Sequence, residues 1–136
     1  MSNIQITVEE INKMNPLDIV LSAPVKQRFI QIYDTLWGEG TGEPAYERES
    51  IFFNRILADN EKLMKGVTRF SIFTTFIDLA VCGLSVEPGV RALAYLQGRN
   101  AKIGKGADGK DIYEGRLTLT ISGYGELVLQ IRRAHV

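Results

Sequence analysis

The chain has 136 residues, 45% of them apolar, and its 16 basic and 16 acidic side chains cancel, which is the size and balance of one domain around one core. A lone cysteine excludes an internal disulfide framework, and one histidine, His135, leaves a zinc or histidine-based catalytic site almost without ligands. No stretch approaches the roughly 20 apolar residues of a membrane span and no charged-then-apolar leader opens the chain, so a soluble, cytoplasmic protein without a membrane partner is expected.

Taken in chain order, ITVEEINKM carries a capping box, Thr7 with Glu10 three residues on, so a short helix starts there and stops before Pro16. Residues 1–20 read as an appendage to a domain over 21–136. A second helix follows Ser22 as N-cap, with Pro24 near its first position and Gly38 at its end; Val25, Phe29, Ile32, Tyr33 and Leu36 form its apolar face. EGTGEP is a loop by composition. A third helix is expected through YERESIFFNRILADNEKLM, with Ile51, Phe52, Arg55, Ile56 and Asn60 alternating between its apolar and polar sides.

The fourth helix, TRFSIFTTFIDLAVCG, has Thr68 as N-cap and Gly83 as its stop. Phe70, Phe73, Ile77, Ala80 and Leu84 make one stripe, and Ile72, Phe76 and Leu79 widen it, which predicts the most buried helix of the chain. Cys82 lies inside this apolar run and reads as a small buried hydrophobe.

The period then changes. VRALAYL (90–96) and GRLTLTI (115–121) alternate as strands do, and QGRNAKIGKGADGKDIYE between them reads as a long basic loop joining two antiparallel strands. SGYG is a turn, and ELVLQIRRA a short closing helix. The fold class is therefore α+β: helices, then a hairpin, then a helix.

Charge is unevenly spread. Residues up to 90 hold 8 basic and 12 acidic side chains; residues 91–136 hold 8 basic (Arg91, Arg99, Lys102, Lys105, Lys110, Arg116, Arg132, Arg133) and 4 acidic. A basic C-terminal part points to a polyanion partner. Within it, GKGADGKD meets seven positions of the Walker pattern through Gly104, Gly109 and Lys110. Asp111 stands where a hydroxyl must ligate Mg²⁺, and strand-like residues follow where a helix is required. Asp108-Gly109 is instead a turn pair at a basic hairpin tip, and no nucleotide cofactor is implied. Arg99, Lys102, Lys105 and Lys110 suit neutralising backbone phosphates; a merely solvated hairpin is the competing reading.

Two stretches, GLSVEPGVRALAYL (83–96) and LTISGYGELVLQIRRAHV, resemble the RecT family of phage-type single-strand annealing proteins. The shared order is a G-L-x-P-type turn after an apolar helix, an A-Y-[LI] strand, a basic loop, a second strand and a G-Y-[KR]-G turn opening a helix that ends in an Arg pair. Upstream, LSAPVKQRF and the stretch 53–73 resemble the helices of the same core, so the likeness spans about residues 20–136, the N-terminal part of that core.

The resemblance implies binding of single-stranded DNA, ATP-independent annealing of complementary strands through a duplex intermediate in recombination, homo-oligomers on DNA and an exonuclease partner. It implies a non-enzymatic protein. By position it marks Tyr95 and Tyr124 as stacking aromatics and Arg132 and Arg133 as the terminal pair, beside Arg99, Lys102, Lys105, Lys110 and Arg116 as DNA-binding cations. The chain departs from the pattern at Gly125 and Glu126, where the turn loses its basic residue. An assembly module of the same fold without DNA binding is the alternative.

Overall fold

The computed structural model describes residues 5–89 and 92–134, without the side chains of 133 and 134. Its elements run α1 (Val8–Lys13), a 3-10 turn (Pro16–Asp18), α2 (Ala23–Trp37), α3 (Gly42–Asp59), α4 (Glu61–Gly66), α5 (Arg69–Cys82), β1 (Ala94–Lys105), β2 (Asp111–Ile121) and α6 (Gly123–Ala134). The α+β class holds, with β1 and β2 forming one antiparallel ribbon. Among the described residues no helix is long and apolar enough to cross a membrane.

Most helix ends follow local chemistry. Thr7 accepts from the Glu10 amide at the start of α1, and Thr68 accepts from the Ser71 amide at the start of α5, each satisfying a donor that the first turn leaves unpaired. Gly83 ends α5 in the left-handed conformation at φ 66°. α3 starts earlier than its composition suggests: Asp34 of α2 accepts from the Gly42 amide at 2.7 Å, which turns part of the expected loop into a first helical turn. The expected single third helix also breaks at Asn60, whose side-chain amide donates to the Ile56 carbonyl at 2.8 Å and so ends α3 before α4 begins.

The core lies where α2, α3 and α5 meet. Phe76 is its centre, with ring centroids 4.6 Å from Phe29, 5.1 Å from Phe53 and 6.0 Å from Tyr46. Residues 1–20, read from sequence as an appendage, supply Ile11, Ile19 and Val20 to this same core, and the Tyr46 hydroxyl donates to the Val20 carbonyl at 2.6 Å.

Three helix faces differ from their predicted ones. On α3 the buried stripe is Ala45, Tyr46, Glu49, Ser50, Phe53 and Leu57, while Ile51 is exposed. On α5 it is Ser71, Ile72, Thr75, Phe76, Leu79 and Ala80, while Phe70 is exposed and Phe73 and Ile77 only half-buried. On α2 Leu36 likewise faces out.

The rotation of α5 has a cause in the ribbon. A two-stranded sheet leaves a second edge on β2, and α5 closes it. The Thr68 amide donates to the Gly115 carbonyl at 2.9 Å, the Leu117 amide donates to Ser71 Oγ at 2.9 Å, and Thr75 Oγ1 donates to the Leu117 carbonyl at 2.8 Å. Turning these hydroxyls inward swings Phe70 outward. Gly115 is required at the joint, since a Cβ there would stand 1.9 Å from the Gly66 carbonyl oxygen.

Glu49 supplies a second polar joint. Its buried carboxylate accepts from the Val86 amide and Ser85 Oγ, both at 2.8 Å, and from Arg48 Nε at 2.7 Å. This fixes the segment that leads from α5 to β1.

Phe76→Ala should lower unfolding free energy by about 3–5 kcal/mol, the cost of emptying an aromatic site in a closed core. Phe70→Ala, on the exposed side of the same helix, should cost less than about 1 kcal/mol. Chemical denaturation of the two variants checks the assignment; equal losses would restore the face predicted from periodicity.

Candidate nucleic-acid interface

The strands are longer than their apolar cores. β1 runs 12 residues and β2 runs 11, so the stretch expected as a basic loop is mostly paired ribbon, and only Gly106–Lys110 turns. The Gly106 amide donates to the Lys110 carbonyl at 2.8 Å, Gly109 sits at φ 78°, and the Lys110 amide donates to Asp108 Oδ1 at 3.0 Å. Gly104, Gly109 and Lys110 therefore belong to a strand end and a hairpin turn, with no helix N-terminus following them.

Pairing the strands sorts their side chains by face. Ala94, Leu96, Leu117 and Leu119 pack toward the helices. The opposite face carries Tyr95 beside Thr120, Gln97 beside Thr118, and Arg99 directly opposite Arg116. Thr120 Oγ1 donates to the Gln97 side-chain oxygen at 2.8 Å and Thr118 Oγ1 to the Gln97 carbonyl at 3.2 Å, which tie the middle of this face together. Tyr95 is 47% exposed, and the Arg116 side chain 48%.

The predicted cations thus separate. Arg99 and Arg116 share the outer face, where Glu114 accepts from Arg116 Nε at 2.8 Å. Lys102 projects by strand alternation to the other side, where its Nζ lies 3.1 Å from Asp111 Oδ1, and the register shift between Lys102 and Gly104 brings Lys105, the partner of Asp111, to that side as well. Lys110 sits in the turn. The four cations do not share one loop: backbone pairing fixes Arg99, Lys102 and Lys105 to strands, and only Lys110 lies in the turn.

Beside the outer face, a groove of about 460 Å³ opens between α1, the start of α5 and β2, lined by Asn12, Thr68, Phe70, Glu114 and Arg116 among others. Sequence periodicity assigns Phe70 to the core. The signal that points it outward is the hydroxyl pair Ser71 and Thr75, which only make sense as a buried face if they have strand partners.

Arg132 lies elsewhere. Its Nη1 donates to the Gly83 carbonyl at the end of α5, and its guanidinium stacks 4.9 Å from the Trp37 ring centre. Trp37 Nε1 in turn donates to the Ala80 carbonyl at 3.0 Å. These bonds join the ends of α2, α5 and α6, and a Cβ on Gly83 would collide with both side chains. Arg132 is thus held as a clamp between helices, apart from the ribbon's outer face. Tyr124 opens α6 and lines a separate groove of about 400 Å³ with Pro88, Leu93 and Val128. The Arg133 side chain, Arg91 and His135 lie outside the described residues.

Other reactive groups offer little. Burial pushes the Cys82 thiol above its ordinary pKa, and its Sγ lies 3.4 Å from the Leu79 carbonyl, the opposite of an activated thiolate. Among the described residues no group of three His, Cys, Asp or Glu side chains could hold a metal ion. Comparison of the chain with protein-family models, curated proteins and solved structures gives no match.

Arg132→Ala and Arg132→Lys should both lower stability by about 1–2 kcal/mol, since lysine keeps the charge but loses the planar stack and forked donor. Fluorescence of the single Trp37 reports both the unfolding and the removal of the stacked guanidinium. Oligonucleotide affinity of the folded variants should stay within about twofold of the parent; a larger drop would put Arg132 in the interface.

Proposed function

We propose that the chain binds single-stranded DNA along the outer face of the β1–β2 ribbon and promotes annealing of complementary strands without nucleotide hydrolysis. The observation that carries this reading is the Arg99–Arg116 rung, two exposed arginines paired across the ribbon on the face opposite the buried Ala94 and Leu117. Like charges directly across a ribbon destabilise it, and an anion bridging the two guanidinium groups reverses the sign. Two planar, forked donors side by side suit successive backbone phosphates.

Tyr95 stands four residues toward the body on the same face, about 13 Å along the strand at 3.3 Å per residue. It offers an exposed ring on which an unpaired base can stack, worth about 1–3 kcal/mol. Phosphate contacts and stacking hold a strand without reading its sequence, which is what pairing of arbitrary complementary strands demands. Neutralising the backbone removes the repulsion between two incoming strands. The resemblance to RecT-type annealing proteins agrees with this chemistry and extends the proposal to homo-oligomers on DNA and an exonuclease partner.

A second reading, an assembly module without DNA binding, is favoured by Leu127 and Ile131, which stand half exposed four residues apart on α6. Salt-dependent retention on a single-stranded oligonucleotide separates the two.

Replacing Arg99 and Arg116 together by Ala should weaken single-strand binding and flatten the slope of log affinity against log salt by about 0.7 for each phosphate no longer neutralised. Annealing rates of complementary oligonucleotides should not change when nucleotide is omitted or when Lys110 becomes Ala. An unchanged slope in the double variant would reduce the ribbon to a solvated hairpin.

A further inference from the structure

The fold treats the two long edges of the ribbon differently. On β2 the Gly115 carbonyl accepts from the Thr68 amide, the Leu117 amide donates to Ser71 Oγ and the Leu117 carbonyl accepts from Thr75 Oγ1. These groups point away from β1, which makes Gly98–Leu117 and Asn100–Gly115 non-hydrogen-bonded pairs of the antiparallel ladder. Both partners of such a pair turn their main-chain groups outward, so the amides and carbonyls of Gly98 and Asn100 line the far edge of β1. Among the described residues no main-chain group pairs with them, and both residues are exposed. β1 is therefore an open edge strand, regular until its register shifts after Lys102.

Side chains along this edge select what pairs with it. β1 carries Arg99, Lys102 and Lys105 and no acidic residue. Two β1 strands laid edge to edge would set like charges against each other, a general means by which sheets keep exposed edges from pairing with themselves. The same cations attract an acidic strand. Beneath the edge, Leu63 of α4 occupies the space that a side chain at position 98 would need, since a Cβ on Gly98 would stand 2.8 Å from Leu63 Cδ1. Leu63 is only half-buried, which leaves apolar surface on the inner side of the strand. An extended segment added here sets one row of side chains over Leu63 and the other beside Arg99, so it needs apolar residues alternating with acidic ones.

We propose that the free edge of β1 is a docking site for an acidic, extended peptide segment of a partner protein, which joins the ribbon as a third, antiparallel strand. Main-chain hydrogen bonds to Gly98 and Asn100 supply affinity, and the alternation of apolar and acidic side chains supplies specificity. The site shares Arg99 with the outer face but does not depend on the DNA-binding reading.

The test uses the full chain and a fluorescein-labelled, end-capped peptide of alternating glutamate and valine, about eight residues and so about 26 Å long when extended. Anisotropy should show saturable binding, and a lysine–valine peptide of the same length should bind at least about tenfold more weakly. In an antiparallel third strand the residues bonded to β1 share the inner face with Gly98, so they are the valines. N-methylation of the valines should therefore cost at least about tenfold in affinity, and N-methylation of the glutamates less than about threefold. Asn100→Pro deletes one edge donor at a position that bonds nothing in β2, where proline is tolerated. It should weaken peptide binding by at least about tenfold, while Asn100→Ala, which keeps the amide, should stay within about twofold of the parent. Absence of peptide binding overturns the proposal, and so do equal effects of the two N-methylations, which would reduce the contact to charge. A dimer of the parent protein by light scattering that Asn100→Pro abolishes would give the edge to a second copy and overturn it as well.

Discussion

The fold turns on how α5 satisfies the open edge of β2. A ribbon of two strands buries one face only if its second edge finds donors and acceptors, and here Thr68, Ser71 and Thr75 provide them in place of a third strand. Each unmet group in that position would cost about 1–3 kcal/mol, comparable to a large part of a small domain's net stability. The joint fixes the hairpin's roll about its own axis. Because Leu117 is pinned to α5, the alternate residues Arg116, Thr118 and Thr120 are turned to the opposite face.

That orientation decides which charges can cooperate. A two-residue period splits a basic segment into two sets, with Arg99 and Arg116 on the face that carries Tyr95, and Lys102 across from Tyr113 on the other. Lys102 faces its neighbour Asp111 on the other side, an exposed pair worth little to stability and screened by salt. The Glu114 carboxylate beside Arg116 is a competing acceptor that a phosphate must displace or share. Arg132, which composition groups with the same basic part, is held between α5 and Trp37, where it joins helices.

Phe70 shows how core and interface trade places. Its neighbours Ile72 and Phe76 are fully buried, so a purely apolar count of α5 makes the whole stripe core. Two inward hydroxyls shift the helix by part of a turn, and an aromatic ring is left at the rim of the groove beside Arg116. Glu49 is the converse case, a carboxylate on the apolar stripe of α3 that is buried because it has backbone and hydroxyl donors from residues 85 and 86.

The order of elements, the caps at Thr7, Thr68 and Gly83, the change from helical to strand period near residue 90 and the turn at Asp108-Gly109 were all legible in the sequence. Each depends on residues within a few positions of one another. Which helix face is buried, how far the strands pair past their apolar segments, and which cations share a face were decided only in three dimensions. The helix faces are set by hydrogen bonds between residues 42 to 46 positions apart, as from Thr75 to the Leu117 carbonyl and from the Leu117 amide to Ser71. The strand lengths follow from backbone pairing, which is indifferent to the Gly, Lys and Asn composition that makes residues 97–114 look like a loop. Local pattern records what a segment prefers, and the partner across the fold determines which of its surfaces is left for function.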